Sequence, residues 1–370
     1  MGDDRKVSAG PDDARRGGSQ TPAASGGQVV AAMDCGTNST RLLVFDPLRG
    51  TLAREMRITR LGEGVDATGR LDRQAISRTV AVLEAYRISM DQLGVSRGRL
   101  VATSAVRDAL NAGEFIEAAR DATGLVPEVL TGAEEGTLSF LGATRSLPPR
   151  QAISLADDDS GDQARGPVEA SPGQEPAGPA MELVVDIGGG STELVVGVPG
   201  GSGAAPGGTV LAAVSMDVGC VRIAERYLRH DPPLSTELAA ARSAIARELS
   251  AAFERVPDLA EPARRDPGGR MIGLAGTVST LASIAQRLDG YDRRRIHHYL
   301  LGASQVSSWT ERLAAMDSTG RLAQPGMVKG REDVIVGGLL VLESVMDAFG
   351  RSSCLVSEDD ILDGLAASLL

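Results

Sequence analysis

Apolar residues along this chain fall into short runs that alternate with segments of helical spacing. The stretch VVAAMDCGTNSTRLLVFD, residues 29–46, carries an apolar run on each side of a polar turn, which predicts two strands. The stretch VVDIGGGSTELVVG, residues 184–197, repeats this pattern in the second half of the chain. Strands that alternate with helices along a chain are typical of an α/β fold.

Helix boundaries are marked by capping residues and glycines. Apolar residues recur at helical spacing from Asp72 to Leu93, and Gly94 can end that helix. Asn111 can cap a helix that runs to about residue 121, where Gly124 stops it. The remaining predicted strands are 52–64, 99–106, 127–132, 209–219, 270–275 and 353–356. The remaining predicted helices are 133–147, 235–253, 276–288, 306–316, 332–349 and 361–370.

The composition limits the class of protein. The chain has 370 residues, enough for two domains, with 38 basic and 49 acidic side chains and a net charge of −11. That balance argues against general binding of nucleic acid or of an anionic membrane. Three scattered cysteines indicate a reducing compartment. Because neither a membrane-spanning run nor the apolar core of a secretion signal is found, we expect a cytoplasmic protein.

Two segments are expected to be disordered. Residues 1–27 are rich in small and polar side chains, and residues 148–179 combine an Asp-Asp-Asp run with several prolines. The folded pattern begins near residue 28. We therefore predict a disordered tail at 1–27, a first domain at 28–137, and a second domain at 138–370 that contains the insertion.

Three glycine-containing loops are candidate phosphate sites. Asp34 and Asp186 each end a predicted strand and are followed by glycines, hydroxyl residues and a returning strand. Consecutive glycines let backbone N–H groups approach a phosphate, although a flexible hairpin tip is the plain alternative. The third loop, residues 273–280, joins a strand to a helix N-terminus, which attracts anions. The candidate phosphate-binding residues are Thr37, Asn38, Ser39, Gly188, Gly189, Gly190, Ser191, Thr192, Gly276 and Thr277.

Carboxylates at the first two loops suit a divalent metal ion. Oxygen ligands of this kind are preferred by Mg²⁺, and Mn²⁺ is the alternative. The candidate ligands are Asp34, Asp186 and Glu193, and the sequence does not rank them.

The motifs together resemble the actin-like ATPase superfold and, within it, the exopolyphosphatase / guanosine pentaphosphate phosphohydrolase (Ppx/GppA) family. The resemblance extends from about residue 28 to residue 370, apart from the insertion. It implies two actin-like, ribonuclease H-like α/β domains with a cleft between them, in the short form without a C-terminal histidine–aspartate domain. The matching segments are DCGTNSTRLLVFD, ATSAVRDALN, LTGAEEGTLSFLGA, VVDIGGGSTELVVG, DVGCVR, GLAGTVSTL and SEDDILDGL.

The resemblance also implies roles for individual side chains. Glu135 aligns with the catalytic glutamate of the family and Arg107 with an arginine that contacts substrate phosphate. Asp186 and Glu193 match acidic residues near the metal and the attacking water. Taken without the family, Glu134 and Glu135 are an acidic pair favoured by a helix N-terminus, and Arg107 is a surface ion-pair partner at a strand end.

Four functions follow from these expectations. The first is an exopolyphosphatase in which Glu135 activates water for metal-assisted release of orthophosphate from polyphosphate, and the second is a guanosine pentaphosphate phosphohydrolase. The others are an actin-like nucleotide-binding structural protein or chaperone, and a sugar or acetate kinase. Only a hydrolase needs Glu135 together with Arg107. Homodimer formation is left open.

Overall fold

The computed structural model describes residues 28–148, 181–200, 208–259 and 269–370. The predicted disordered tail, residues 1–27, and all but the first residue of the predicted insertion, 148–179, lie outside the described residues. Among the helices of the described ranges, none is both long enough and apolar enough to cross a membrane.

The first sheet has the strand order β3-β2-β1-β4-β5. The strand β2 is antiparallel to both of its neighbours, whereas β1, β4 and β5 run parallel. Its strands are β1 (Val30–Cys35), β2 (Ser39–Asp46), β3 (Gly50–Ile58), β4 (Arg97–Ala102) and β5 (Glu128–Val129).

The second sheet repeats this order with one additional edge strand. Its order is β10-β11-β9-β6-β7-β8, in which β7 takes the antiparallel position of β2, and β6 and β9 take those of β1 and β4. Two sheets of one topology confirm the predicted fold class of two actin-like α/β domains. The strands are β6 (Glu182–Ile187), β7 (Thr192–Val198), β8 (Thr209–Met216), β9 (Met271–Leu274), β10 (Leu300–Gly302) and β11 (Ser353–Val356).

Three predicted helices end just before the glycines that were expected to stop them. Asp72 accepts hydrogen bonds from the first turn of its helix, and Gly94, Gly124 and Gly350 have positive φ after helix ends. The helices are α1 (Val65–Thr68), α2 (Arg73–Gln92), α3 (Ser104–Arg107), α4 (Ala112–Thr123), α5 (Gly132–Thr144), α6 (Cys220–Tyr227), α7 (Ser235–Arg255), α8 (Ala275–Ala285), α9 (Arg293–Ile296), α10 (Ala303–Ala314), α11 (Ser318–Leu322), α12 (Ile335–Ala348) and α13 (Ile361–Ala367).

Two local predictions were wrong. Asn111 precedes α4, but its side chain does not cap that helix. It instead accepts a hydrogen bond from the backbone N–H of Leu71 and donates one to the Leu71 carbonyl. The strand predicted at 99–106 ends at residue 102, because the N–H groups of Val106 and Arg107 turn back to the carbonyl of Thr103. Arg107 therefore ends a helical turn rather than a strand.

Alternate residues of β1 face two different sets of helices. Ala31 and Met33 pack with α2 and α4, whereas Val30 and Ala32 pack with α13. The last helix of the described chain thus completes the core of the first sheet. The boundary between the two domains that we predict at residue 138 stays a prediction. Helix α13, which comes late in the chain, packs on the first sheet.

Helices α5 and α13 cross at unusually short range. A Cβ added at Gly142 would lie 1.8 Å from the carbonyl oxygen of Asp360, and one at Gly364 would lie 2.1 Å from the carbonyl oxygen of Leu138. Backbone therefore lies directly on backbone at this crossing, which only glycine permits.

We expect Gly142→Ala to destabilise the protein, because the added methyl group must displace the α13 backbone. The loss should be about 1–3 kcal/mol or more in the free energy of unfolding, measured by chemical denaturation. Gly113→Ala is the matched control, since its added Cβ meets nothing within 4 Å in α4. It should stabilise the protein by about 0.5–1 kcal/mol. Equal stability of the two variants would contradict the close crossing.

Candidate active site

The two central strands bring one aspartate each to the cleft between the sheets. In the register of the first hairpin Asp34 lies opposite Arg41, and in the second Asp186 lies opposite Glu193. Both partners follow their aspartate by seven residues. The first aspartate therefore faces a cation, whereas the second faces another acid.

Arg41 joins the first hairpin to the last helix. Its Nε and Nη2 donate to Asp34 Oδ2 at 3.0 and 2.6 Å, and its Nη1 donates to Asp360 at the start of α13. Burial raises the pKa of Asp34, and Arg41 opposes this shift. Sequence reasoning did not assign Arg41 or Asp360. Comparing the two loops position by position would have singled out Arg41, because it stands where the second loop has Glu193.

The second pair of acids is held by serines. Ser139 Oγ donates to Asp186 Oδ2 at 2.7 Å, and Ser215 Oγ donates to Glu193 Oε1 at 2.8 Å. Burial raises the pKa of Asp186 to about 6 although Arg41 opposes it. Burial and the charge of Asp186 raise the pKa of Glu193 to about 8. Both acids therefore lie in an environment that disfavours their charged forms.

The paired glutamates of α5 have different roles. Glu134 accepts hydrogen bonds from the N–H and hydroxyl of Thr131, which closes a capping box at the helix start. Glu135 points into the cleft, where its Oε2 lies 3.4 Å from Arg107 Nη1. Burial, and then the charges of Glu193 and Asp186, raise its pKa well above the usual range. Glu135 is thus the member of the pair that is free for chemistry.

Two glycines let α5 approach the second sheet. A Cβ at Gly132 would lie 2.2 Å from Ser215 Cβ, and one at Gly136 would lie 2.8 Å from Val195 Cγ2. Side chains at these positions would push the helix away from β7 and β8. The small residues therefore place Glu135 beside Glu193.

The hydroxyl and amide side chains of the first two loops differ in whether they already have a hydrogen-bond partner within the protein. Thr37 Oγ1 lies 2.9 Å from Ser104 Oγ, and the buried Nδ2 of Asn38 has no hydrogen-bond partner within the described ranges. Ser191 is buried and Ser39 half-buried. The hydroxyl of Thr192 donates to the Val218 carbonyl at 2.6 Å, so it is turned into the protein.

The three glycines of the second loop, Gly188 to Gly190, are not required by a left-handed backbone, since none of them has positive φ. They are required by close approach. A Cβ at Gly189 would lie 2.8 Å from Thr37 Cβ, and one at Gly190 would lie 2.8 Å from Ser104 Oγ. In this arrangement, the first loop and Ser104 contact the backbone of these glycines.

The third loop lies against a buried arginine that the sequence did not reveal. An added Cβ at Gly276 would lie 1.7 Å from Arg331 Cζ. No carboxylate of the described residues pairs with Arg331, and burial lowers its pKa. Thr277 is buried beside Cys220 and α12. A guanidinium at the N-terminus of α8 forms a cationic site next to Gly276.

The carboxylates present can hold a metal ion only if water or substrate phosphates complete its coordination shell. Among the described residues, no group of three or more His, Cys, Asp or Glu side chains is arranged to hold a metal. Mg²⁺ commonly takes one or two carboxylates and completes its shell with water and substrate phosphates. Asp34 Oδ1 and Glu193 Oε2 are buried and lack a partner in the described chain. Asp34, Asp186 and Glu193 therefore stay predicted ligands.

Comparison with known proteins agrees with this geometry. The Ppx/GppA phosphatase family matches residues 46–158 and 177–370. The chain belongs to this family. It is 39% identical to exopolyphosphatase 2 of Mycobacterium tuberculosis, over 92% of this chain and 98% of that protein.

Solved structures of Ppx/GppA proteins share the fold. An exopolyphosphatase-like protein is 32% identical, with a TM-score of 0.76 over 92% of this chain and all of the other. A Ppx/GppA family member of Aquifex aeolicus is 28% identical, with a TM-score of 0.68 over 92% of this chain and 97% of the other.

The acidic cluster predicts how stability depends on pH in metal-free buffer. The folded protein keeps the Glu193 proton up to about pH 8, whereas the unfolded carboxyl ionises near 4.5. The folded state binds more protons between these values, so this contribution to stability is lost as the pH rises. We expect Glu193→Gln to flatten the fall of Tm across this window, measured by calorimetry with a chelator. Glu117→Gln, at an exposed position of α4, should keep the wild-type slope. An unchanged slope of Tm against pH in Glu193→Gln would contradict the raised pKa of Glu193.

Proposed function

We propose that the protein is an exopolyphosphatase that releases terminal orthophosphate from inorganic polyphosphate. The observation that carries this proposal is Glu135, a buried acid beside Arg107, at the meeting point of two glycine loops. The name of the mycobacterial relative, exopolyphosphatase 2, supports the substrate class. The combination of Glu135 with Arg107 is what a hydrolase needs, and neither a sugar or acetate kinase nor a structural nucleotide-binding protein explains it.

In the proposed reaction, Glu135 accepts a proton from the attacking water. The new bond forms between the water oxygen and the terminal phosphorus, and the bridging P–O bond breaks, with its electron pair leaving on the shortened chain. Burial and the neighbouring carboxylates raise the pKa of Glu135 well above its usual range, which makes its ionised form a stronger base than an exposed glutamate. Arg107 can hold two oxygens of the transferred phosphate.

The remaining chain needs neutralisation of its charge. Arg331, at the third loop, is a cation without a carboxylate partner in the described residues and is suited to a phosphate of that chain. A Mg²⁺ or Mn²⁺ ion held by Asp34, Asp186 and Glu193 would supply further neutralisation of phosphate charge. Metal dependence is part of the proposal.

Guanosine pentaphosphate is the alternative substrate. The family name covers both activities, and the 5′-phosphates of the nucleotide present the same terminal phosphoanhydride. Orthophosphate release should be compared with Mg²⁺ for short polyphosphate, long polyphosphate, guanosine pentaphosphate and, as a control, ATP. Release that is fastest from polyphosphate supports the proposal, whereas preference for the pentaphosphate replaces it with the alternative.

We expect Glu135→Gln to reduce kcat about 10²–10⁴-fold while it leaves the Kd for short polyphosphate nearly unchanged, because only the base is lost. Orthophosphate release and calorimetric binding measure the two quantities. Glu134→Gln is the matched control, since glutamine at that position preserves the capping box. Near-normal turnover in Glu135→Gln would remove this residue from the role of base.

A further inference from the structure

The two phosphate loops lie in contact and leave no space for a phosphate between them. Thr37 and Ser104 fill the positions that side chains at Gly189 and Gly190 would take. The neighbouring cavity, lined in part by Thr37, Gly190 and Arg222, has a volume of about 20 Å³. That volume holds about one water molecule. A larger cavity, of about 290 Å³, adjoins Thr37 and Asn38 on the outer side of the first loop. The gap between the two loops is closed, so a phosphate can lie between them only after movement.

Four charged side chains close one edge of this cleft, and we call them the latch: Asp66, Asp108, Arg222 and Arg226. Arg222 Nη2 lies 2.6 Å from Asp108 Oδ2, and its Nη1 lies 3.4 Å from Asp66 Oδ1. Arg226 also pairs with Asp66. Both aspartates belong to the elements around the first sheet, and both arginines belong to α6 beside the second. The latch therefore joins the two halves across the cleft.

Arg222 differs from an ordinary surface arginine. Its backbone N–H donates to the carbonyl of Gly189 at 3.1 Å, which fixes it to the second phosphate loop. Its side chain and that of Asp66 are each only 13% exposed. The Arg222 Nε is buried and has no hydrogen-bond partner within the described residues. The guanidinium thus lies beside the loop with a donor that its two carboxylates leave unused.

A phosphate chain offers partners for all the N–H donors of Arg222, including the Nε that the two aspartates leave without one. Each phosphate offers oxygens that a guanidinium can bind in pairs, with charge-assisted hydrogen bonds. A chain that reached the glycine loop would meet Arg222 at the same edge. Removing Arg222 from Asp66 and Asp108 would break two of the latch's ion pairs and leave Arg226 as the remaining partner of Asp66.

We propose that Arg222 exchanges partners during substrate entry. In the unliganded protein it pairs with Asp66 and Asp108 and keeps the cleft shut, and entering polyphosphate takes the guanidinium from these carboxylates and opens the latch. The exchange of partners rests on the proposed function, because polyphosphate is the ligand that it requires. The closed latch is independent of the proposed function.

The first test measures the closed state without any ligand. Spin labels on Glu117→Cys and Ser250→Cys report the distance between the two domains, because the native cysteines are buried. We expect Asp66→Asn/Asp108→Asn to lengthen this distance relative to the labelled wild type. Asp91→Asn, which breaks the exposed pair with Arg87 inside the first domain, should not change it. A wild-type distance in the double variant would overturn the latch.

The second test separates the exchange from simple opening. Tripolyphosphate binding is measured by calorimetry in the Glu135→Gln background, where turnover is blocked. Asp66→Asn/Asp108→Asn should lower the Kd, because substrate no longer has to open the cleft. Arg222→Gln should also open the cleft, as seen with the spin labels, yet raise the Kd at least tenfold because the phosphate partner is lost. Equal tightening in both variants would overturn the exchange.

Failure of the proposed function has a different signature. If polyphosphate is neither bound nor hydrolysed by any form of the protein, the function and the exchange both fail. The ligand-free distances would still decide whether the latch exists.

Discussion

The structure depends on how the charge of four buried carboxylates is balanced. Asp34, Asp186, Glu193 and Glu135 are buried in one space between the sheets, where like charges cannot all ionise. Arg41 pairs with Asp34 and opposes the shift there, but all four carboxyls keep raised pKa values. A ligand that adds cations, or that moves the domains apart, changes this balance at once. The proposed opening of the cleft would therefore also change the charge of these carboxylates.

The two halves of the chain use one hairpin for different purposes. Their strand registers are the same, but Arg41 in the first corresponds to Glu193 in the second. The ion pair ties the first loop to α13 through Asp360. The acid pair leaves an unpaired carboxylate oxygen in the cleft. The first loop is thus tied to the last helix by an ion pair, whereas the second holds two acids side by side.

The fold could be predicted from the sequence because apolar periodicity and helix caps act locally. The hairpins around Asp34 and Asp186 and the loop before α8 lie where the pattern placed them. Glu135 was assigned through family resemblance, and the structure adds the reason why Glu134 cannot share its role: that carboxylate is engaged in the cap.

Other parts of the site depend on contacts between distant segments. Arg331 meets Gly276 only because α8 and the loop before α12 pack together. Arg222 reaches Asp66 across the cleft, a pairing that no local pattern encodes. The glycines of the second loop were interpreted as bare backbone for phosphate, and in the structure the first loop occupies that approach. Tertiary packing decides each of these features.

The packing of α13 on the first sheet has a consequence for synthesis of the chain. One face of β1, with Val30 and Ala32, packs with Leu130 and Leu138 and, at the C-terminal end of the chain, with residues 361–369. These are made after all of the second sheet. At ordinary rates of translation that delay is on the order of 10–50 s. During this time the nascent first sheet has an incompletely covered apolar face, which is the kind of surface that chaperones recognise on the ribosome.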